Sequence, residues 1–395
     1  CTHECAEGGI HIKVRLHVEV ELAILHQDLI TERKILRGEM SSRCELHAVQ
    51  QLQQFTELLL RRCEARICDL MDRRERVAIP IMTHPGIEFC NYQVIDAVTN
   101  GNIHFQAVKK LYDMYPSAAA TVIMDLTVEA EAFGAEVTFP KNEVPSVIGN
   151  LVTDMDDVEK LNIPGMDQGR LPEYLLVNRL SAEAIQDKPI LAGCIGPYSL
   201  AGRLMGMTEI MTAIYTDPDM VMLLLEKCSE FLLNYCKEIK RTGVGGVVIA
   251  EPAAGLISAE DCSTYSSTFI KKIVEAVQDD TFMIVLHNCG NTGHCTGAMV
   301  ETGAAGLHFG NRIDMPATLE ECPDDVLVMG NLDPVGCMKM GTPEGVYFAT
   351  TQLLGKTSGH RNFVLSTGCD VPPHVAPENI NAFYRALQDY NLHLK

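Results

Sequence analysis

Gly246-Val-Val-Ile-Ala250, then a helical pattern over residues 258–277, then Phe282-Met-Ile-Val-Leu286: this stretch decides the fold class. Two short apolar runs of strand length flank a segment that opens on the capping signal Ser258-x-x-Asp261. No hairpin turn joins the runs, so they read as parallel strands linked by a crossover helix, a βαβ unit. The alternation recurs on both sides. Residues 77–83, 120–125 and 190–195 precede the unit, and residues 305–309, 326–330 and 362–366 follow it, giving eight runs in all. Helical patterns lie between them, such as 218–240, where Met220, Leu223, Leu224, Phe231 and Tyr235 recur near a 3.6 period. No Gly-rich fingerprint follows the first run, which argues against a doubly wound open sheet. The expectation is an α/β fold, a (β/α)8 TIM barrel over residues 77–395.

Two segments extend that plan. Residues 126–188 are too many for one helix; 136–140 and 143–148 read as a hairpin, and 154–161 and 171–184 as helices. An insertion after the second strand of a barrel commonly shapes a substrate mouth. Residues 1–76, rich in Leu, Arg, Glu and Gln and free of Pro, read as an N-terminal helical extension. Charge there is nearly balanced, so the acidity belongs to the barrel.

Composition narrows the function. With 395 residues, 47% hydrophobic and 21% charged, the chain can bury a full core, which excludes a disordered protein. Asp and Glu number 52 against 32 Lys and Arg, a net charge of -20, which disfavours nucleic acid and anionic membranes as partners. No stretch approaches the roughly 18 uninterrupted apolar residues of a membrane helix, and no secretory-type series opens the chain. Fifteen cysteines without a repeating framework read as reduced thiols with a few ligands among them, which predicts a cytoplasmic protein.

The strongest chemical signal is Leu286-His287-Asn288-Cys289-Gly290, directly after an apolar strand. Residues i and i+2 of a strand share a face, so His287 and Cys289 project together. Ser366-Thr-Gly-Cys369-Asp370 ends the eighth run, and all strands of a barrel end on one rim, so Cys369 reaches the same pocket. One imidazole and two thiolates leave a tetrahedral metal one free position, the pattern of a catalytic rather than a structural zinc. Taken singly, each residue reads as a packed core group; their matching strand-end positions join them. His294, Cys295 and His308 are nearby alternatives, but His294 and Cys295 fall in the next helical pattern and read as packing or surface residues.

These residues sit in a wider set. Asp125-Leu-Thr-Val-Glu-Ala-Glu131 with Phe133-Gly134, Ile195-Gly-Pro-Tyr-Ser-Leu200, Glu251-Pro-Ala-Ala-Gly255, His287-Asn-Cys-Gly290, Gly330-Asn-Leu-Asp-Pro334, and Gly368-Cys369 with Pro372, Pro377 and Asn379 occur in that order. From Val77 onward the chain resembles the uroporphyrinogen decarboxylase superfamily, in particular its zinc-dependent branch, the methylcobamide:coenzyme M methyltransferases and related corrinoid-dependent methyltransferases. The decarboxylases carry an Arg-Gln-Ala-Gly-Arg clamp after the first strand, where this chain has Met82-Thr-His-Pro-Gly-Ile-Glu88. They also have a Tyr where Arg203 stands and a His where Cys369 stands. Asp125 matches the decarboxylases' catalytic Asp, but the position is acidic in both branches.

The resemblance implies an enzyme in which His287, Cys289 and Cys369 hold Zn2+ and the metal activates a small thiol, such as coenzyme M, for attack on the methyl group of methylcobalamin. No Asp-x-His-x-x-Gly corrinoid segment occurs in the chain, so the corrinoid is expected on a separate carrier protein. Asp125, Glu131 and Glu251 are the candidate catalytic carboxylates, with Glu129 beside them; helix N-termini also attract such residues for electrostatic reasons. Tyr198, Arg203, Arg312 and Asn331 are candidate substrate-binding residues, the arginines as anchors for an anionic acceptor tail. Two other readings stay open: a metal-free decarboxylase of a tetrapyrrole or small acid, and a non-catalytic barrel that binds corrinoid or its carrier.

Overall fold

The computed structural model describes residues 75–394, so the expected helical extension over residues 1–76 lies outside the described residues except for its last two. The strands are β1 (Ala120–Thr121), β2 (Glu136–Thr138), β3 (Ser146–Ile148), β4 (Ile190–Ile195), β5 (Gly246–Ala250), β6 (Met283–Asn288), β7 (Gly306–Phe309), β8 (Leu327–Leu332) and β9 (Phe363–Thr367). All but β2 and β3 form one parallel sheet in the order β1-β4-β5-β6-β7-β8-β9. The expected hairpin is present as the antiparallel pair of β2 and β3, followed by the expected helices Met155–Lys160 and Leu171–Ala184.

The sheet closes through residues 77–82. Leu365 N donates to Val77 O at 3.1 Å and Ile79 N to Leu365 O at 2.9 Å, which ties this segment to β9. On its other side Ala118 N donates to Ala78 O at 2.9 Å, next to β1. The expected first strand is nevertheless reduced to a bridge between Ala78 and Leu365. Pro80 has no N–H and breaks the ladder; Thr121 compensates, its Oγ1 accepting from Met82 N at 3.1 Å. β1 is also shorter than the run 120–125, because Ile123 N is captured by His104 Nε2 at 3.0 Å.

Alternation within the strands separates two cores. Ile79, Leu191, Val248, Val285, Leu327 and Val364 pack together in the barrel interior. Their neighbours Ile284, Leu286, Val328 and Leu365 pack outward with the helices. Val285 therefore sets the parity that turns His287 inward.

The helix Pro218–Arg241 has the features that start and stop a helix: Asp217 Oδ1 accepts from Met220 N, Pro218 stands at the first position, and Lys240 and Arg241 close the last turn. The pattern 258–277 opens as expected, with Ser258 Oγ accepting from Asp261 N at 3.1 Å. It is not one helix, however. Ala259–Cys262 and Thr268–Val277 are separated by a π turn at Ser263–Ser267, whose wider winding carries Ser266 Oγ to 2.7 Å from Glu251 Oε2. Cys295 likewise precedes, rather than joins, the helix Thr296–Val300. Among the described residues, no helix is long and apolar enough to cross a membrane, and the cysteines are free thiols.

Candidate metal centre

His287 lies near the end of β6, and Cys289 directly follows the strand. Asn288 ends it: its Oδ1 accepts from Gly290 N at 3.0 Å and Asn291 N at 2.9 Å, an Asx turn that fixes the backbone around Cys289. Gly310, at the end of β7, runs against this turn, and a Cβ there would stand 2.6 Å from Cys289 O. Cys369 follows β9 across the same rim. One ligand atom each from His287, Cys289 and Cys369 lie within 4.8 Å of one another.

The donor chemistry fits a metal ion. His287 is buried, and among the described residues its Nε2 has no hydrogen-bond partner, an expensive condition for a polar atom unless a ligand completes it. The two thiols shift in opposite directions: the hydrogen bond from Cys369 holds Cys289 below the ordinary thiol value against the effect of burial, and the same bond, with burial, pushes Cys369 well up. Each thiol thus sets the shift of the other through the hydrogen bond they share. Binding a cation removes that conflict by favouring both thiolates. His294 and Cys295 are not part of the cluster: His294 Nε2 is 3.0 Å from Ile257 O, and Cys295 is buried with its Sγ 3.6 Å from Ala254 O.

Behind His287 stands a residue that strand parity alone did not single out. His308 occupies the register position of His287 on β7, and its Nδ1 lies 2.8 Å from His287 Nδ1. Its Nε2 lies 2.8 Å from Ser366 Oγ on β9. Burial, reinforced by His287, holds the His308 imidazole well below its usual value, so it is neutral. His84, at the start of the helix His84–Phe89, packs beside the residue that follows Cys369. Burial pushes its imidazole down, but Asp370 and, further off, Asp125 and Glu88 outweigh that and leave it raised.

The predicted carboxylates are all engaged. Arg170 donates from Nε to Glu131 Oε2 at 2.6 Å and from Nη1 to Asp125 Oδ2 at 2.5 Å, while Tyr174 Oη donates to the same Asp125 oxygen at 3.2 Å. This arginine, supplied by the insertion, had no signal in the spacing of the motif it completes. Glu251 is buried, and burial pushes its carboxyl up to about 7. Its Oε1 accepts from Ser199 N at 3.0 Å, and its backbone N donates to His287 O at 2.8 Å. Glu129, also buried, is pushed up to about 8 by burial; its Oε1 accepts from Ile195 N, and its Oε2 has no partner among the described residues.

The predicted substrate-binding residues fall into three situations. Tyr198 is fully buried, and its hydroxyl, which has no partner among the described residues, is pushed well up by burial and then by Glu251. Asn331 is committed to the backbone, its Nδ2 donating to Gly310 O at 3.0 Å and Ile313 O at 2.9 Å. Arg203 is half-buried and forms no ion pair among the described residues, and burial pulls its guanidinium down; Arg312 is exposed.

Known proteins share this architecture. The uroporphyrinogen decarboxylase (URO-D) family model matches residues 76–390. Methylcobamide:CoM methyltransferase MtbA of Methanosarcina acetivorans is 32% identical over 276 residues, which cover 69% of this chain and 80% of that protein. Uroporphyrinogen decarboxylase of Pseudoalteromonas translucida is 24% identical over 291 residues, which cover 70% of this chain and 80% of that protein. Among solved structures, a methyltransferase from Methanosarcina mazei has the same barrel fold, with a TM-score of 0.75 at 21% identity over 82% of this chain and 98% of its own. Matched by the family model from Arg76 to Tyr390, and at 32% identity by a methylcobamide:CoM methyltransferase, this chain belongs to the uroporphyrinogen decarboxylase family.

Proposed function

We propose that the chain is a zinc-dependent methyltransferase that moves a methyl group from a methylated corrinoid, delivered on a separate carrier protein, to a small thiol such as coenzyme M. The observation that carries this reading is the convergence of His287, Cys289 and Cys369 together with the unpartnered His287 Nε2. Zn2+ held by these three residues would have a fourth position for the acceptor sulfur and would favour its thiolate near neutral pH. The likeness to the Methanosarcina enzymes supports corrinoid and coenzyme M as the substrate pair.

The chain's own groups then have distinct tasks. The backbone N–H of Glu251 donates to the carbonyl of His287, while its carboxylate accepts from Ser199 N and Ser266 Oγ and so anchors the end of β5 beside the metal ligand. Asp125 and Glu131 neutralise Arg170; the pair with Asp125 holds the insertion against the barrel, and the pair with Glu131 lies within the insertion. Arg203, which has no carboxylate partner among the described residues, is a guanidinium available to the anionic tail of an acceptor, with Arg312 a second cation at the surface.

Metal analysis and turnover test the proposal together. The wild type is expected to hold stoichiometric zinc, to lose it in Cys369→Ala, and to demethylate methylcobalamin only when a thiol is added. A wild type with neither metal nor demethylation overturns it. Release of carbon dioxide from a carboxylated substrate, unaffected by chelator, is the result the decarboxylase reading requires.

A further inference from the structure

We infer that His308 and Ser366 set the tautomer of His287, and through it the metal affinity of the centre, by a chain of hydrogen bonds that runs consistently in one direction only. The inference rests on the metal-centre reading above. At the far end of the chain, Ile79 O is a carbonyl oxygen that can only accept, so Ser366 Oγ, 2.8 Å away, donates its proton there. The serine oxygen is then left as acceptor for His308 Nε2 at 2.8 Å, and that nitrogen carries a proton.

The near end gives the same answer independently. His287 Nδ1 lies 3.3 Å from the carbonyl oxygen of His308, which again can only accept, so His287 carries its proton on Nδ1. The same nitrogen is 2.8 Å from His308 Nδ1, a separation that accommodates one proton and not two. His308 Nδ1 is therefore bare and accepts. A neutral His287 with its proton on Nδ1 has its lone pair on Nε2, the atom that nothing else in the described residues satisfies. Ligation requires a bare ring nitrogen, and the group bonded to the other nitrogen decides which one is bare. A dissociating histidine in water exchanges its tautomers freely; here the order Ile79, Ser366, His308, His287 presets the binding form. His308 and Ser366 are positioning residues, since they act through His287.

The measurement is Zn2+ affinity of the full chain, read by competition with a chromophoric chelator. His308→Leu removes the nearer acceptor of His287 Nδ1 and leaves only the longer contact to the backbone carbonyl of residue 308, and affinity is expected to fall by about 10-fold or more, the usual effect of losing such a partner. His308→Gln can accept from His287 with Oε1 and donate to Ser366 with Nε2, so it should recover most of the loss. Ser366→Ala should weaken binding by a smaller factor in the wild type and add little to His308→Leu, because the two lie in series. Nitrogen-15 spectra of histidine-labelled, metal-free protein should find His287 protonated on Nδ1 and bare on Nε2. Wild-type affinity in His308→Leu, or a His287 proton on Nε2, overturns the inference. Should His308→Leu fail to fold, Ser366→Ala and the wild-type ring spectrum decide the matter. A wild type that takes up no Zn2+ defeats the metal-centre reading instead, while the ring spectrum still tests the hydrogen-bond chain by itself.

Discussion

His84 Nδ1 lies 3.1 Å from Asp370 Oδ2, so the helix entered from the first barrel segment is joined to the residue directly after Cys369. The imidazole is 2% exposed and the carboxylate 18%. Removing one partner of such a pair leaves the other desolvated and unpaired, which is costlier than never having the pair. Asp370→Ala, which leaves the buried His84 imidazole without this partner, should lower the unfolding free energy by about 2 kcal/mol, within the usual range for an unsatisfied buried group. Urea denaturation measures this, and an unchanged midpoint at unchanged slope would show that the pair contributes nothing to stability.

Glycine at position 196 is required by its neighbour. A Cβ on this residue would stand 2.1 Å from Glu251 Oε1 and 2.2 Å from its Cγ, inside any tolerable contact. Gly196→Ala should therefore destabilise by about 3 kcal/mol or more, as overpacking a rigid site does. The clash is with side-chain atoms, so Glu251→Ala in the same chain should restore part of the loss. Thermal unfolding of the two single variants and the double variant tests the coupling; strict additivity counts against it.

How much of this was legible beforehand follows from what kind of information each feature uses. Strands β4 and β5 match their apolar runs end to end because a strand buried on both faces is written as a continuous apolar word. The convergence of His287, Cys289 and Cys369 was legible because the parity of β6 and the common rim of a barrel are consequences of geometry that any sequence in the fold inherits. The partners of those residues were not. His308 and Ser366 are single polar residues in apolar runs, and nothing local distinguishes a relay from a satisfied core group. Arg170 meets Asp125 across an insertion whose path no periodicity describes. The first strand failed for a local reason that was present in the sequence, since Pro80 removes a ladder donor in the middle of the run.

Glu129 gives the fold a pH dependence of definite sign. Burial pushes its carboxyl up to about 8, whereas in the unfolded chain it ionises near the ordinary value for glutamate of roughly 4.3. Between those values the native state holds a proton that the unfolded state has released, so stability falls as pH rises and levels off above the native value. Glu129→Gln keeps an oxygen for Ile195 N but cannot ionise. The variant should lose less stability than the wild type between about pH 5 and 8, by a few kcal/mol in total at roughly 1.4 kcal/mol per pKa unit. Denaturation midpoints measured across that range decide it: parallel curves for the two proteins are incompatible with a buried, proton-retaining Glu129.

Arg203 is the residue whose replacement should separate acceptors by their charge. Its guanidinium is half-buried and has no ion pair among the described residues, and burial opposes its charge with only Asp125, itself paired with Arg170, in partial compensation. An incoming sulfonate or carboxylate would supply the missing countercharge, and a partly desolvated charged hydrogen bond of this kind contributes about 1.5–3 kcal/mol. Arg203→Met keeps the aliphatic bulk and removes the charge. For coenzyme M, KM should rise by about 10- to 100-fold, the equivalent of that energy at roughly 1.4 kcal/mol per factor of ten. For a neutral thiol such as 2-mercaptoethanol, KM should hardly change, and zinc content should be the same in both proteins. Equal losses with both thiols would assign Arg203 to the integrity of the barrel mouth and leave the acceptor tail to another cation, of which the exposed Arg312 is the next to replace.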